Sequence, residues 1–276
     1  MPELPEVETV RRSLLPVVLN KPIITVQVNY ERILQHISSA DFKSALIGNE
    51  FSQIKRSGKY LIFSLKDNRE LVIHLRMTGR LTYYSDQSIP LAKHTSVIFG
   101  FETGDELRFE DVRKFATIDL VSKGNYEQVK GLFNLGIEPL SKEFSPEVLS
   151  DFVHKRSTKI KSVLLNQSLI AGLGNIYVDE SLFMSGIHPE RPANSLKKAE
   201  ITRLHGAIQT VLKDAIDNQG TTLRDYRTGY GQEGSFQNRL QIYGRKGEKC
   251  PTCGTNIEHK KVAGRTSHFC PICQKE

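Results

Sequence analysis

The 276-residue sequence predicts an α+β, multidomain protein, and three observations carry that prediction. Short β-rich runs recur about every ten residues between roughly 22 and 121. From Ser145 to about 217, apolar residues fall at three- and four-residue steps. The only four cysteines crowd into the last 27 residues. Runs of that kind with turn signals between them give a sandwich or a barrel, the longer period gives packed helices, and a cysteine-rich tail gives a small metal-stapled unit. At roughly 100 to 200 residues per domain the length agrees with more than one domain.

In chain order, residues 5 to 15 (PEVETVRRSLL) predict a first helix. Pro5 stands near its first position, Glu3, Glu6 and Glu8 lie at the positive end of its dipole, and Pro16 closes it. The β-rich runs follow (IITVQV, KYLIFSL, ELVIHLRM, HTSVIFGF, ELRFEDVRKFATIDLV), with glycines between them. Ser145-Pro146-Glu147 reads as an N-cap, a first-turn proline and an early acid, opening the helical half. Ile201, Leu204, Ile208, Val211, Leu212, Ala215 and Ile216 form one stripe, which core packing explains without a cofactor, and Asn218 to Gly220 end it. Residues 221–238 carry Gly229, Gly231 and Gly234 and no period, so a mobile loop is expected there.

Composition narrows the function classes. No run approaches the roughly 18 to 20 apolar residues that span a bilayer, and the acidic N-terminus lacks the basic start of a secretory signal, so membrane and secreted readings fail together. The formal charge is +7, and residues 221–276 supply +5 of it. Such a field attracts a polyanion, with nucleic acid first.

Cys250, Cys253, Cys270 and Cys273 form C-x2-C, sixteen residues, C-x2-C. Each pair can aim two thiolates at one ion, and the intervening segment is long enough for a hairpin, so the spacing predicts a tetrahedral Zn2+ ribbon; two disulfides are the alternative. Four thiolates leave no open coordination position for water, which makes the zinc structural, and they leave a site charge of −2. A basic zinc hairpin beside a Gly-rich loop is a reasonable phosphate-binding element.

Read together, MPELPEVETVRR at the start, GLGNIYVDE at 172–180 and the ribbon with VAGRTSHFCPICQ resemble the bacterial formamidopyrimidine-DNA glycosylase family, enzymes that act on 8-oxoguanine, and the resemblance covers the whole chain. It implies an N-terminal β-sandwich with flanking helices (1–135), a helical helix-two-turn-helix DNA-binding domain (136–235) with a lesion-capping loop near 221–238, and a zinc-finger DNA-binding hairpin (236–276). It further implies a monomer in the bacterial cytoplasm, held at the nucleoid by double-stranded DNA that contains an oxidised base.

The same resemblance assigns roles. Pro2, terminal once Met1 is removed, is the expected nucleophile at C1′, passing to a Schiff base. A terminal amine titrates near 8 against about 10.4 for Lys, so roughly a hundredfold more of it is neutral at pH 7. Glu3 is the expected general acid at the opening deoxyribose, and Glu6 is expected to position the sugar or Pro2. Taken alone, Pro2 reads as a helix-start proline and the glutamates as dipole compensation. Lys59 in SGKYL matches the family's lysine of β-elimination, and Arg265 the arginine that clamps phosphates and serves δ-elimination. Met77, Arg113 and Phe115 match the triad that fills the hole left by an extruded base; by periodicity alone, core packing is favoured for Met77 and Phe115. Asn175 and His94 match phosphate contacts. One departure stands out: members that read K-H-x-H have a second histidine where this chain has Ser96.

Two rivals remain. The endonuclease VIII branch shares the helical and zinc elements but acts on oxidised pyrimidines; Leu4 in PELPE and the Met77, Arg113, Phe115 set favour the purine branch. A non-catalytic zinc-ribbon DNA-binding protein would have no need of Pro2 and Glu3.

Overall fold

The first helix shows how far local signals reach. In the computed structural model, which describes residues 1–275, α1 (Leu4–Val18) starts from Glu3 as N-cap, with Pro5 in the first turn. The Glu3 N–H donates to the Glu6 carboxylate at 2.8 Å in a capping-box arrangement. Leu4, Val7, Val10, Leu14 and Val18 form its buried stripe. Pro16, expected to close the helix, lies inside it. The proline removes one hydrogen bond, to the carbonyl of Arg12, and both residues face solvent, where water can serve that carbonyl while Val18 gains burial.

After β1 (Ile23–Val28), β2 (Leu34–Gln35) and α2 (Ser39–Leu46), seven strands follow: β3 (Phe51–Ser57), β4 (Tyr60–Leu65), β5 (Arg69–His74), β6 (Gly79–Tyr84), β7 (Thr95–Phe101), β8 (Glu106–Asp111) and β9 (Thr117–Ser122). They make two sheets, one in the order β1-β7-β8-β6 and one in the order β2-β9-β5-β4-β3. All pairings are antiparallel except β2 with β9. Phe51 of β3 meets Phe99 and Phe101 of β7 with ring centroids 5.8 and 6.4 Å apart, so the sheets share one core. Two separate sheets decide for the sandwich over the barrel.

The helical half has α3 (Lys130–Phe133), α4 (Pro146–His154), α5 (Ile160–Leu165), α6 (Asn175–Ser185) and α7 (Lys198–Asp217). The Ser145 hydroxyl accepts from the Val148 N–H at 3.3 Å, the cap that the sequence predicts. The whole apolar stripe of α7 is buried. In the tail, β10 (Glu258–Val262) and β11 (Arg265–Phe269) pair antiparallel, turning through Ala263 and Gly264 at φ +51° and +71°. Both turn residues are left-handed, as a two-residue hairpin of this twist requires.

Among the described residues two compact units result: 1–133 with 218–237, and 134–217 with 238–275. The segment 218–237, assigned by the sequence mainly to the helical domain, thus packs with the sandwich, and the ribbon packs with the helices. Long-range bonds decide this. The Gly229 N–H donates to the Ser13 hydroxyl and its carbonyl accepts from Tyr83, at 2.9 and 2.8 Å, so the Gly-rich segment has no strand or α-helix but is tied down. Among the described residues no helix is long and apolar enough to cross a membrane.

Candidate active site

Pro2 and Glu3 are both buried at the start of α1. The three glutamates of this end have separate surroundings. Glu6 is 1% exposed; one carboxylate oxygen accepts the Glu3 N–H and the other the Thr221 N–H, each at 2.8 Å. Gly220 (φ +76°) is required beside it, because a Cβ there would stand 2.8 Å from the carboxylate. Glu6 therefore joins the N-terminal end to the base of the 221–238 segment. Burial would raise the Glu8 carboxyl, but hydrogen bonds from Arg11 and Arg12 and the charges of Arg11 and Arg56 outweigh it and hold it at about 2.

Lys59 sits in the turn from β3 to β4, after Gly58 at φ +55°, and is buried. His74, at the end of β5, is pressed edge-on against Tyr60, 4.5 Å between centroids. Burial and the nearby charges of Arg76 and Lys59 push its imidazole down to about 3, so it is neutral near pH 7.

The Met77, Arg113 and Phe115 side chains are brought together. An Arg113 guanidinium nitrogen lies 2.8 Å from the Met77 sulfur, and the guanidinium stands 4.8 Å over the Phe115 ring. Met77 and Phe115 are 39% and 52% exposed, so neither is core. Each follows a non-glycine residue in the left-handed region, Arg76 at φ +52° and Lys114 at φ +58°. His94 is half-buried just before β7, and its carbonyl accepts the Asp111 N–H at 3.0 Å. Ser96 is buried, with its hydroxyl turned toward the same carbonyl.

In the second unit the four cysteine sulfurs lie within 4.8 Å of one another, with Cys250 and Cys273 at 3.8 Å and Cys253 and Cys270 at 3.4 Å. Tetrahedral zinc with bonds near 2.3 Å needs sulfurs about 3.8 Å apart, so the set fits the ion. Burial and the neighbouring sulfurs push the Cys273 thiol up, and a dication relieves that crowding. Asn175, the first residue of α6, donates its amide to the Thr266 carbonyl at 2.9 Å, and Arg265 is exposed at the start of β11.

Sequence reading missed the ions beneath this hairpin. Lys161 and Asp179, both fully buried, pair at 2.6 Å; Asp179 also accepts the His268 N–H at 2.9 Å, and Lys161 donates to the Thr266 carbonyl at 3.3 Å. Glu180 accepts three successive backbone N–H groups, of Gln241, Ile242 and Tyr243, at 2.8–3.0 Å. Burial raises its pKa and those three bonds lower it, with burial ahead. Two adjacent acids in an otherwise uncharged helix were the available signal.

A β-sandwich whose buried N-terminal end carries a proline and an acid, with a four-sulfur hairpin in a second unit, defines a multidomain zinc-finger protein. Family models agree along the chain: residues 1–118 match the formamidopyrimidine-DNA glycosylase N-terminal domain, 135–227 its H2TH domain, and 247–275 a zinc finger found in FPG and IleRS. A formamidopyrimidine-DNA glycosylase of Brevibacillus brevis is 49% identical over 276 residues, covering 100% of this chain and 99% of that protein. One of Symbiobacterium thermophilum is 50% identical, covering 99% and 89%. Among solved structures, the Lactococcus lactis Fpg with abasic site containing DNA superposes with a TM-score of 0.91 at 41% identity, covering 99% of this chain and 100% of that one. A mutant of the same Fpg with Fapy-dG containing DNA gives 0.92 at 41%, covering 100% of each. The chain belongs to the formamidopyrimidine-DNA glycosylase family, and its four clustered cysteines are a structural zinc site.

Proposed function

We propose that this protein is a base-excision repair glycosylase and apurinic/apyrimidinic lyase for oxidised purines such as 8-oxoguanine and formamidopyrimidine in double-stranded DNA. The observation that carries the reading is the pairing of Pro2 with Glu3 at the buried N-terminal end of a family member. Removal of Met1 turns the Pro2 nitrogen from an amide into a secondary amine. That amine attacks C1′, the bond from C1′ to the base breaks, and the base leaves with a proton. Glu3 protonates the ring oxygen as the sugar opens, leaving an iminium. Lys59 serves the β-elimination that breaks the 3′ C–O bond, and Arg265 the δ-elimination at the 5′ side.

Recognition precedes chemistry. A stacked base cannot be excised, so Met77, Phe115 and Arg113 enter the vacated space, the first two as apolar wedges and the third as a donor to the unpaired partner base. Exposure on two turns and mutual contact support that role. His94 and Asn175 contact phosphates, Asn175 through its backbone N–H at the start of α6, since its amide is engaged by Thr266. Glu6, committed to backbone N–H groups, positions the N-terminal end and the 221–238 segment, which caps the lesion. The purine branch is preferred to the endonuclease VIII branch because the Met77, Arg113, Phe115 set is complete. We place the protein, as a monomer, on DNA in the bacterial cytoplasm.

Borohydride trapping on duplexes bearing one lesion each tests this reading. Wild type lacking Met1 should give a covalent adduct with an 8-oxoguanine duplex, and protein retaining Met1 none. Efficient trapping by protein that retains Met1, or trapping confined to oxidised pyrimidines, would overturn it.

A further inference from the structure

The two turns that carry Met77 and Phe115 are separate in sequence, yet one buried carboxylate serves both. Asp111 closes β8 and is 1% exposed. One of its oxygens accepts the Thr78 hydroxyl and, at 3.2 Å, the Arg113 N–H; the other accepts the Ala116 N–H at 2.8 Å. Thr78, itself buried, also accepts the Arg113 N–H at 3.0 Å. The Asp111 N–H donates to the His94 carbonyl, which draws a third segment to the same point.

Around this joint the backbone has little freedom. The Gly79 N–H donates to the Leu75 carbonyl at 2.9 Å, and a Cβ on Gly79 would come within 2.5 Å of that oxygen. The neutral His74 imidazole accepts the Arg76 N–H at 2.9 Å. Arg76 and Lys114, directly before Met77 and Phe115, are held in a left-handed conformation that side-chain-bearing residues rarely adopt. Such strain persists only where surrounding bonds over-determine it. Here the buried bonds of Asp111, Thr78 and His74 do so.

We propose that Asp111, acting with Thr78, is a positioning residue for base extrusion. Its carboxylate locks the Met77 turn and the Arg113–Phe115 turn in one register, so that the three side chains enter the duplex as a unit. This rests on the wedge reading of Met77, Arg113 and Phe115. Asp111 touches neither DNA nor the reacting sugar in this role.

The test is single-turnover excision of 8-oxoguanine from duplex, beside strand cleavage at a preformed abasic site and the thermal midpoint, for Asp111→Asn, Thr78→Val, Thr78→Ser and Met77→Ala. Asn places an N–H against one of the donors that Asp111 accepts, and Val removes the hydroxyl while keeping shape. Each should lower duplex excision about tenfold, the size of one unmet buried hydrogen bond. Cleavage at the abasic site, where no base has to leave the stack, should fall less than about threefold. Thr78→Ser keeps the hydroxyl and should retain duplex excision. Asp111→Asn combined with Met77→Ala should lose less than the two losses multiplied, because the probes act together. Duplex excision unchanged in Asp111→Asn and Thr78→Val, while Met77→Ala loses it, would overturn the positioning role alone. Parallel loss of both reactions with a fallen midpoint would also overturn it. If Met77→Ala itself kept full duplex excision, the wedge reading beneath it would fail instead.

Discussion

The Met77 and Phe115 turns of the sandwich and the zinc hairpin both present exposed side chains on tight turns, and they are held by opposite means. Met77 and Phe115 stand over a large apolar core, and their turns are fixed by hydrogen bonds to Asp111, Thr78 and His74. Arg265 stands on a hairpin whose apolar cluster, among the described residues, has only Ile242, Cys250, Ile257 and Cys270 at its centre. There the order comes from four sulfurs round one ion and from buried ions on α5 and α6. A large core leaves backbone geometry to be set by a few bonds. A small one has to take its stability from metal and from a neighbouring helix.

The contrast breaks most readily at the metal. Cys250→Ser should release zinc and unfold the hairpin while the sandwich stays folded, since structural zinc contributes on the order of 10 kcal/mol to a unit of this kind. Metal analysis after gel filtration decides it, and equal zinc in variant and wild type would mean that the four-sulfur site holds no ion.

Next in size is Glu3→Gln. Base release should fall by roughly 100-fold or more while binding of lesion DNA persists, because the proposed reading puts the chemistry in the sandwich and phosphate contacts on the hairpin as well. Normal excision by this variant would remove Glu3 from the mechanism.

Met77→Ala and Phe115→Ala sharpen the claim that the turns display, and do not pack, their side chains. Truncation of core residues costs about 2 to 5 kcal/mol, whereas these exposed residues should cost less than about 1 kcal/mol, with excision from duplex reduced more than abasic-site cleavage. A large drop in thermal midpoint with the ratio of the two rates unchanged would return them to the core.

Acid separates the regions more gently. The Glu8 pKa lies at about 2 in the folded protein against an ordinary 4.5, so its contribution is present above pH 4.5 and is lost as pH falls from there toward 2. Glu8→Gln should lower the midpoint at pH 6 and flatten its decline over that window. A curve parallel to wild type would show that the arginine cluster is not what acid dissolves.

The smallest effect is expected at Arg265→Ala. Zinc content should be unchanged and the salt dependence of DNA binding reduced by about one unit of slope, the signature of one lost phosphate contact. An unaltered slope would take Arg265 off the phosphates.

What one can read in the chain follows range. The Ser145 cap, the α7 stripe, the paired C-x2-C turns and the alternation of short strands are encoded within a few residues, where propensity and period act, and the structure contains each of them. Pro16 misled because its cost depends on whether the lost bond faces water, and that depends on the packing of α1. Met77 and Phe115 were open between wedge and core for a related reason: period reports spacing, whereas exposure is a property of the assembled sandwich.

By itself, then, the sequence determined the classes of element, the metal set and the identity of the N-terminal proline and acid. The tertiary structure decided which acids have partners and where: Glu6 with Thr221, 215 residues away, Asp111 with Thr78, and Asp179 with Lys161. It decided too that residues 218–237 belong with the sandwich. A carboxylate commits to a donor only once burial strips it of water, and which donors share its buried space is fixed by chain segments far apart in sequence.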